Sequence, residues 1–233
     1  ITIVGVGLIG GSFAMALRKR GFQGRILGIS RPKPIEEALR KGLIDEGFPY
    51  ERLGEAAAQS ELIILATPIN RIIELIEELG KMGKDLSDGT VITDVGSTKR
   101  EIMETAARAL PETVHFIGGH PLAGSEERGV QASDPLLFEN AIYVLTPPGD
   151  EEAPEVQKLG AFISLTGARV IVLRSQKHDL IAAAISHLPQ ILAVELVNSL
   201  DELGDDSEKA VHRAAGGFRD MTRIASSPFA IWK

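Results

Sequence analysis

Apolar residues along the chain keep to two spacings that alternate. Ile1 to Val6 and Arg25 to Ile29 are short, nearly continuous apolar runs, as are Leu62 to Ala66, Thr90 to Asp94, His115 to Gly118, Ile142 to Leu145 and Arg169 to Leu173. Such runs suit strands buried on both faces. Between them, Ser12 to Arg20, Ile72 to Lys81, Lys99 to Ala109 and Glu151 to Thr166 place apolar residues at helical spacing. Turn residues punctuate the runs, as in Ser87-Asp88-Gly89, Leu110-Pro111 and Pro147-Pro148-Gly149. The alternation predicts an α/β domain with a doubly wound, mostly parallel sheet. No internal repeat or low-complexity tract interrupts it.

After Arg174 the pattern changes. Gln176 to Leu200 reads as one long helix, interrupted at Pro189 and apolar on nearly every side from Leu180 to Val197. A helix of that kind has to be buried against partners. We therefore expect a first domain over 1–174 and, over 175–233, the start of a helical segment that packs against a second copy of the chain. Ser186, His187, Pro189, Gln190 and Glu195 interrupt the apolar stretch and argue against a membrane span.

Composition narrows the class. The 233 residues are 44% hydrophobic and 24% charged, enough to bury a full core. The net charge of −7 disfavours nucleic acid and an anionic membrane surface as partners. With no cysteine there is no disulfide, thiolate metal site or cysteine nucleophile. The run Ile1 to Val6 lacks the charged flank of a signal peptide, so a cytoplasmic location is expected, and a start at Ile1 suggests a trimmed N-terminus.

The first strand and helix flank GVGLIGG. Gly5 allows the turn, Gly7 lets backbone approach a pyrophosphate and Gly10 lets helix and strand pack closely, with Leu8 and Ile9 between them. Strand, turn and helix together predict a Rossmann-type dinucleotide site. An acidic residue after the second strand would bind a ribose 2′-hydroxyl and repel a 2′-phosphate; here Ser30-Arg31-Pro32-Lys33 follows instead. A serine hydroxyl and a guanidinium fork suit a phosphate, so NADP is favoured over NAD.

Ligands in such sheets bind beyond the carboxyl ends of the strands, and four segments there stand out. Thr67-Pro68 is placed to line the cofactor or merely to start a helix. Gly96-Ser97-Thr98-Lys99 offers hydroxyls for a nicotinamide or substrate, or ordinary helix caps. Gly118-Gly119-His120 bares the backbone before a histidine, with Ser125 and Glu126 close behind, which suits acid–base chemistry in a loop. Arg219 and Arg223, at helical spacing after Gly216-Gly217, suit carboxylates, or an ion pair with Asp220.

GVGLIGGS, TDVGSTK, GGHPLAGSE, SHLPQ and GGFRDMTRIA, in that order, resemble the prephenate/arogenate dehydrogenase family of tyrosine biosynthesis over essentially the whole chain. The resemblance implies oxidative decarboxylation of prephenate to 4-hydroxyphenylpyruvate, or of arogenate to tyrosine, with hydride transfer to NAD(P)+ and no metal. It implies His120 as the catalytic base toward the substrate hydroxyl and Ser97 as its helper. Arg223 is implied as carboxylate ligand, with Arg219, Ser125, Glu126 and His187 as further substrate contacts. It also implies a homodimer built through C-terminal helices of which residues up to Lys233 supply only part. Gln190 stands where some members carry a second histidine, which leaves prephenate against arogenate undecided; Arg219 stands where some carry lysine, which keeps the charge but alters the hydrogen-bond geometry. Two other readings share the opening motif: a β-hydroxyacid dehydrogenase, whose acid–base group is typically a lysine on a later helix, and a non-catalytic NADP-binding regulator.

Overall fold

The computed structural model describes residues 1–125, 127–200, 202 and 216–226. The chain divides into two compact units, Ile1–Asp179 and Leu180–Lys233.

In the first unit eight strands form one sheet. They are β1 (Thr2–Val4), β2 (Leu27–Ile29), β3 (Glu46–Phe48), β4 (Leu62–Leu65), β5 (Val91–Asp94), β6 (His115–Pro121), β7 (Ile142–Thr146) and β8 (Arg169–Val172). The helices are α1 (Leu8–Lys19), α2 (Pro32–Arg40), α3 (Leu53–Ala57), α4 (Ile69–Met82), α5 (Arg100–Ala109) and α6 (Pro154–Ser164), and α7 (Ser175–Ala182) begins in this unit. The strand order is β3-β2-β1-β4-β5-β6-β7-β8, so the order reverses beside β1, as the doubly wound fold requires. β4 is Leu-Ile-Ile-Leu and buried throughout, because helices cover both of its faces. One core layer gathers Phe13, Leu17, Phe138, Tyr143 and Leu159; the other gathers Ile72, Leu75, Ile76 and Leu79 of α4 with Ile102 and Ala106 of α5.

The structure corrects the expected elements in three places. α1 begins at Leu8, so Gly10 lies inside the helix, where a Cβ would stand 2.2 Å from the Gly5 carbonyl oxygen. α2, β3 and α3 went unrecognised: Pro32 and Lys33 open α2, and β3 is a three-residue edge strand with one fully buried side chain, too short to show a period. Most consequential, Gly118-Gly119-His120-Pro121 is strand and not loop. β6 pairs in parallel with β5 over His115–Ile117, then antiparallel with β7 from Gly118↔Thr146 to Pro121↔Tyr143. The antiparallel partner carries β6 past the end of β5 and delivers His120 from a rigid ladder.

In the second unit a π-helical turn, Ala183–His187, joins α7 to α8 (Leu188–Asn198), and α9 (Gly216–Thr222) is followed by a 3₁₀ turn, Arg223–Ser226. Pro189 lies at the start of α8, where the preceding π turn accommodates a residue without an amide donor. Ser175–Asn198 is long and apolar enough to cross a membrane by length and composition alone. The expected burial of this helix is not met within the chain: Leu180 is 73% exposed and Ile185, Leu188, Ile191 and Leu192 are more than half exposed.

Candidate active site

The glycine turn is built by backbone geometry. Gly5 adopts φ +98°, and a Cβ there would lie 2.4 Å from the Ala66 carbonyl oxygen and 2.8 Å from Thr67 Cγ2, so the turns after β1 and β4 touch. A Cβ on Gly7 would meet nothing within 4 Å. Gly7 is the residue before α1, no side chain caps that helix and its first turn has no acidic residue. Leu8 and Ile9 open the helix, partly exposed. The arrangement is an uncovered helix N-terminus of positive partial charge, open on the Gly7 side. Pro68 precedes α4, and the buried Thr67 hydroxyl beside it has no hydrogen-bond partner. Among the described residues the only other orphaned buried side-chain polar atom is the Thr93 hydroxyl, at the end of β5.

Ser30, just after β2, is buried, and its amide donates to Phe48 O at 3.2 Å. Arg31 is exposed just before Pro32 at the start of α2 and makes no ion pair among the described residues.

Beyond β5 the chain is held by a buried charge pair that the sequence reading overlooked. Asp94 and Lys99 both have fully buried side chains and form a salt bridge. Asp94 also accepts the amides of Gly96 (2.7 Å) and Gly119 (3.0 Å), and the Lys99 ammonium donates to Gly119 O at 2.6 Å. Burial pulls the Lys99 pKa down, opposed by the adjacent Asp94. Through these bonds one carboxylate fixes the residues that immediately precede Ser97 and His120. A Cβ on Gly119 would stand 2.3 Å from Asp94 O, which is why the strand ends approach this closely only with glycine there. Ser97 is partly exposed, and neither it nor Thr98 caps α5: the residue before α5 is Lys99, and no side chain of its own caps the helix.

His120 is partly exposed, and its Nδ1 lies 2.8 Å from Nε2 of His178, which is 3% exposed. His178 Nδ1 in turn lies 2.7 Å from Asp179 Oδ1. The Asp179 carboxylate accepts the amides of Lys99 (2.8 Å) and Arg100 (2.9 Å) and so supplies the cap of α5. Neither His178 nor Asp179 stood out in the sequence; 58 residues separate His178 from His120 and only the fold joins them.

The remaining expected residues fall elsewhere. Ser125 is exposed on the β6–β7 connection, its hydroxyl accepting the Glu127 amide at 3.1 Å, and Glu126 lies outside the described residues. That connection returns to the glycine turn: Ser133 donates to Gly7 O at 3.3 Å, and a Cβ on Gly11 would collide with Ser133 Oγ at 2.2 Å. His187 closes the π turn, partly exposed; Arg219, in α9, and Arg223, just after it, are exposed in the second unit. Arg219 forms no ion pair with Asp220 among the described residues.

A family profile described as prephenate dehydrogenase, nucleotide-binding domain, matches residues 13–172, well over half of the chain. The chain belongs to the prephenate dehydrogenase family. A second profile of the family, its dimerization domain, matches residues 174–233. Among curated members, the prephenate dehydrogenase of Lactococcus lactis is 42% identical over all of this chain and that of Bacillus subtilis 38%. The chain spans 62% of the length of each. Prephenate dehydrogenase from Aquifex aeolicus, solved in complex with hydroxyphenyl propionate and NAD+, superposes with a TM-score of 0.88 at 32% identity, over 99% of this chain and 79% of that one. Arogenate dehydrogenase from Synechocystis gives 0.83 at 33%, over 97% and 79%.

Proposed function

We propose that this family member oxidatively decarboxylates prephenate or arogenate with a nicotinamide dinucleotide. The observation that carries the reading is the placement of His120: a strand-end histidine with Nδ1 engaged by His178, stapled through Gly119 and Asp94 to the loop of Ser97, in a unit whose glycine turn accepts a dinucleotide.

The chain fits that cofactor on three counts. The open side of Gly7 and the uncapped α1 N-terminus suit a pyrophosphate. The orphaned Thr67 hydroxyl suits a ribose or phosphate oxygen. Gly5, Leu8, Ile9, Gly10 and Pro68 shape the cradle around them. The bound nicotinamide supplies the hydride acceptor. With Nδ1 committed to His178, the reaction with the substrate falls to His120 Nε2, which takes the proton of the C4 hydroxyl as hydride leaves C4. The ring carboxylate departs as carbon dioxide, its bonding pair completing the aromatic ring and moving charge onto the C4 oxygen, which takes the proton back from His120 as the phenol forms. Removing the hydroxyl proton relieves positive charge building at C4. Ser97 orients the hydroxyl and the nicotinamide, and Arg223 and Arg219 hold carboxylates, with His187, Ser125 and Glu126 as further contacts.

Ser30 and Arg31 give this reading a preference for NADP over NAD, since an exposed guanidinium without an ion pair is available to a 2′-phosphate. The exposed apolar face from Leu180 to Leu192 is covered by a second copy of the chain, making a homodimer of a cytoplasmic enzyme. Initial rates of nicotinamide reduction, with prephenate and arogenate each crossed with NAD and NADP, test the whole reading. Turnover of at least one substrate is expected, with NADP ahead and its lead lost in Arg31→Ala. Turnover with NAD ahead returns Arg31 to solvated surface. No turnover in any combination hands the site to a β-hydroxyacid dehydrogenase or an NADP-binding regulator.

A further inference from the structure

We propose that His178 and Asp179 are positioning residues which together set the tautomer of His120, leaving the lone pair on Nε2, the nitrogen that meets substrate. The inference rests on the functional reading above for its consequence but on geometry for its content. Asp179 receives three donors: the Lys99 and Arg100 amides at the start of α5 and the Nδ1 side of His178. Burial pushes its pKa up, but those hydrogen bonds outweigh it and hold the carboxyl below its ordinary value. Asp179 is therefore an acceptor only, and the proton in the 2.7 Å contact sits on His178 Nδ1.

The rest follows by exclusion. A neutral imidazole carries one N–H, so with Nδ1 protonated the Nε2 of His178 accepts. The 2.8 Å contact with His120 Nδ1 then requires His120 to donate through Nδ1–H, and its Nε2 is the basic nitrogen. The direction of every proton in the chain is dictated from Asp179 outward. When Nε2 of His120 takes a proton, the Nδ1–H bond to His178 becomes charge-assisted, and the Asp179 anion one ring away favours the imidazolium.

No other charge among the described residues of this unit competes for the role. From α5 and β5, the Lys99 ammonium is occupied by Asp94 and Gly119 O. The Arg100 side chain is directed to Glu104, both exposed. From β7, the Tyr143 hydroxyl near Asp94 O is kept protonated by burial and by the Asp94 charge.

The informative variant is Asp179→Asn. Oδ1 of Asp179 accepts both the Lys99 amide and His178, and Oδ2 accepts Arg100, so an asparagine that keeps its oxygen on the Arg100 amide gives up the Lys99 cap, donates its amide to His178 Nδ1 and reverses the chain, so that His120 holds its proton on Nε2 and cannot accept another. In catalytic triads the same exchange traps the wrong tautomer and costs about four orders of magnitude. Here kcat is expected to fall by about a hundredfold or more with KM values within about threefold, and the acid limb of the kcat–pH profile to move to lower pH. Nitrogen-15 NMR of the histidine rings in the full chain, without ligand and above the histidine titration range, reads the tautomer directly. His120 is expected protonated at Nδ1 in the wild type and at Nε2 in Asp179→Asn. A wild-type His120 protonated at Nε2 overturns the proposal, as does a folded Asp179→Asn whose ring spectrum shows the reversal while kcat and the acid limb stay unchanged. If the wild type oxidises neither substrate, the functional reading fails while the ring spectrum still decides the tautomer.

Discussion

Replacing Lys99 by Met isolates what the buried pair contributes. The side chain is fully buried, and Met fills much of the same volume while deleting the ammonium. Asp94 would keep its Gly96 and Gly119 amide donors but lose its counter-charge, and Gly119 O would lose the Lys99 bond. Removing one partner of a buried pair costs about 3–5 kcal/mol, because the other charge stays desolvated. At about 2–4 °C per kcal/mol for a chain of this size, the melting temperature should fall by roughly 6–20 °C. Arg100→Ala is the control: its pair with Glu104 has side chains 76% and 63% exposed and is worth about 1 kcal/mol at most. Thermal and urea unfolding followed by circular dichroism at neutral pH give both numbers. A Lys99→Met protein no less stable than Arg100→Ala would refute the view that this pair holds the strand ends.

Three further outcomes are expected. Gly11→Ala should destabilise by about 1–3 kcal/mol by pushing Ser133 away from the glycine turn, and Ser133→Gly in the same chain should recover much of that in a double-mutant cycle. Thr67→Val should leave the ligand-free protein as stable or stabler, since the hydroxyl has no partner, yet weaken nicotinamide dinucleotide binding about five- to tenfold by calorimetry. Folded Asp179 titrates below an unfolded aspartate, so its contribution to stability is present above about pH 4 and is lost as pH falls through the folded value. Urea midpoints should therefore drop more steeply for the wild type than for Asp179→Asn below about pH 4; parallel curves would contradict the assignment.

The glycine turn, β4 and α4 were legible because a local pattern fixes each: glycines at set spacing, an unbroken aliphatic run, and apolar residues buried at Ile72, Leu75, Ile76 and Leu79. His120 stood out as a candidate residue but not as strand, because its ladder is completed by β7, more than twenty residues later and antiparallel. Asp94 and Lys99 stood in a segment read for Ser97, and nothing local shows that both side chains are buried. His178 and Asp179 open a long helix as unremarkable polar residues; their role exists only where α7 meets β6 and α5. Three residues of edge strand at β3 leave too little periodicity to detect.

The central claim is that His120 is the base of an oxidative decarboxylation. Its most direct test is to measure carbon dioxide release and nicotinamide reduction together, from substrate labelled in the ring carboxylate, in the wild type and in His120→Asn. The account predicts one carbon dioxide per reduced nicotinamide in the wild type, and both rates lowered together by about a hundredfold or more in His120→Asn with cofactor binding retained. Nicotinamide reduction without carbon dioxide release, or a His120→Asn enzyme of undiminished rate, would contradict it.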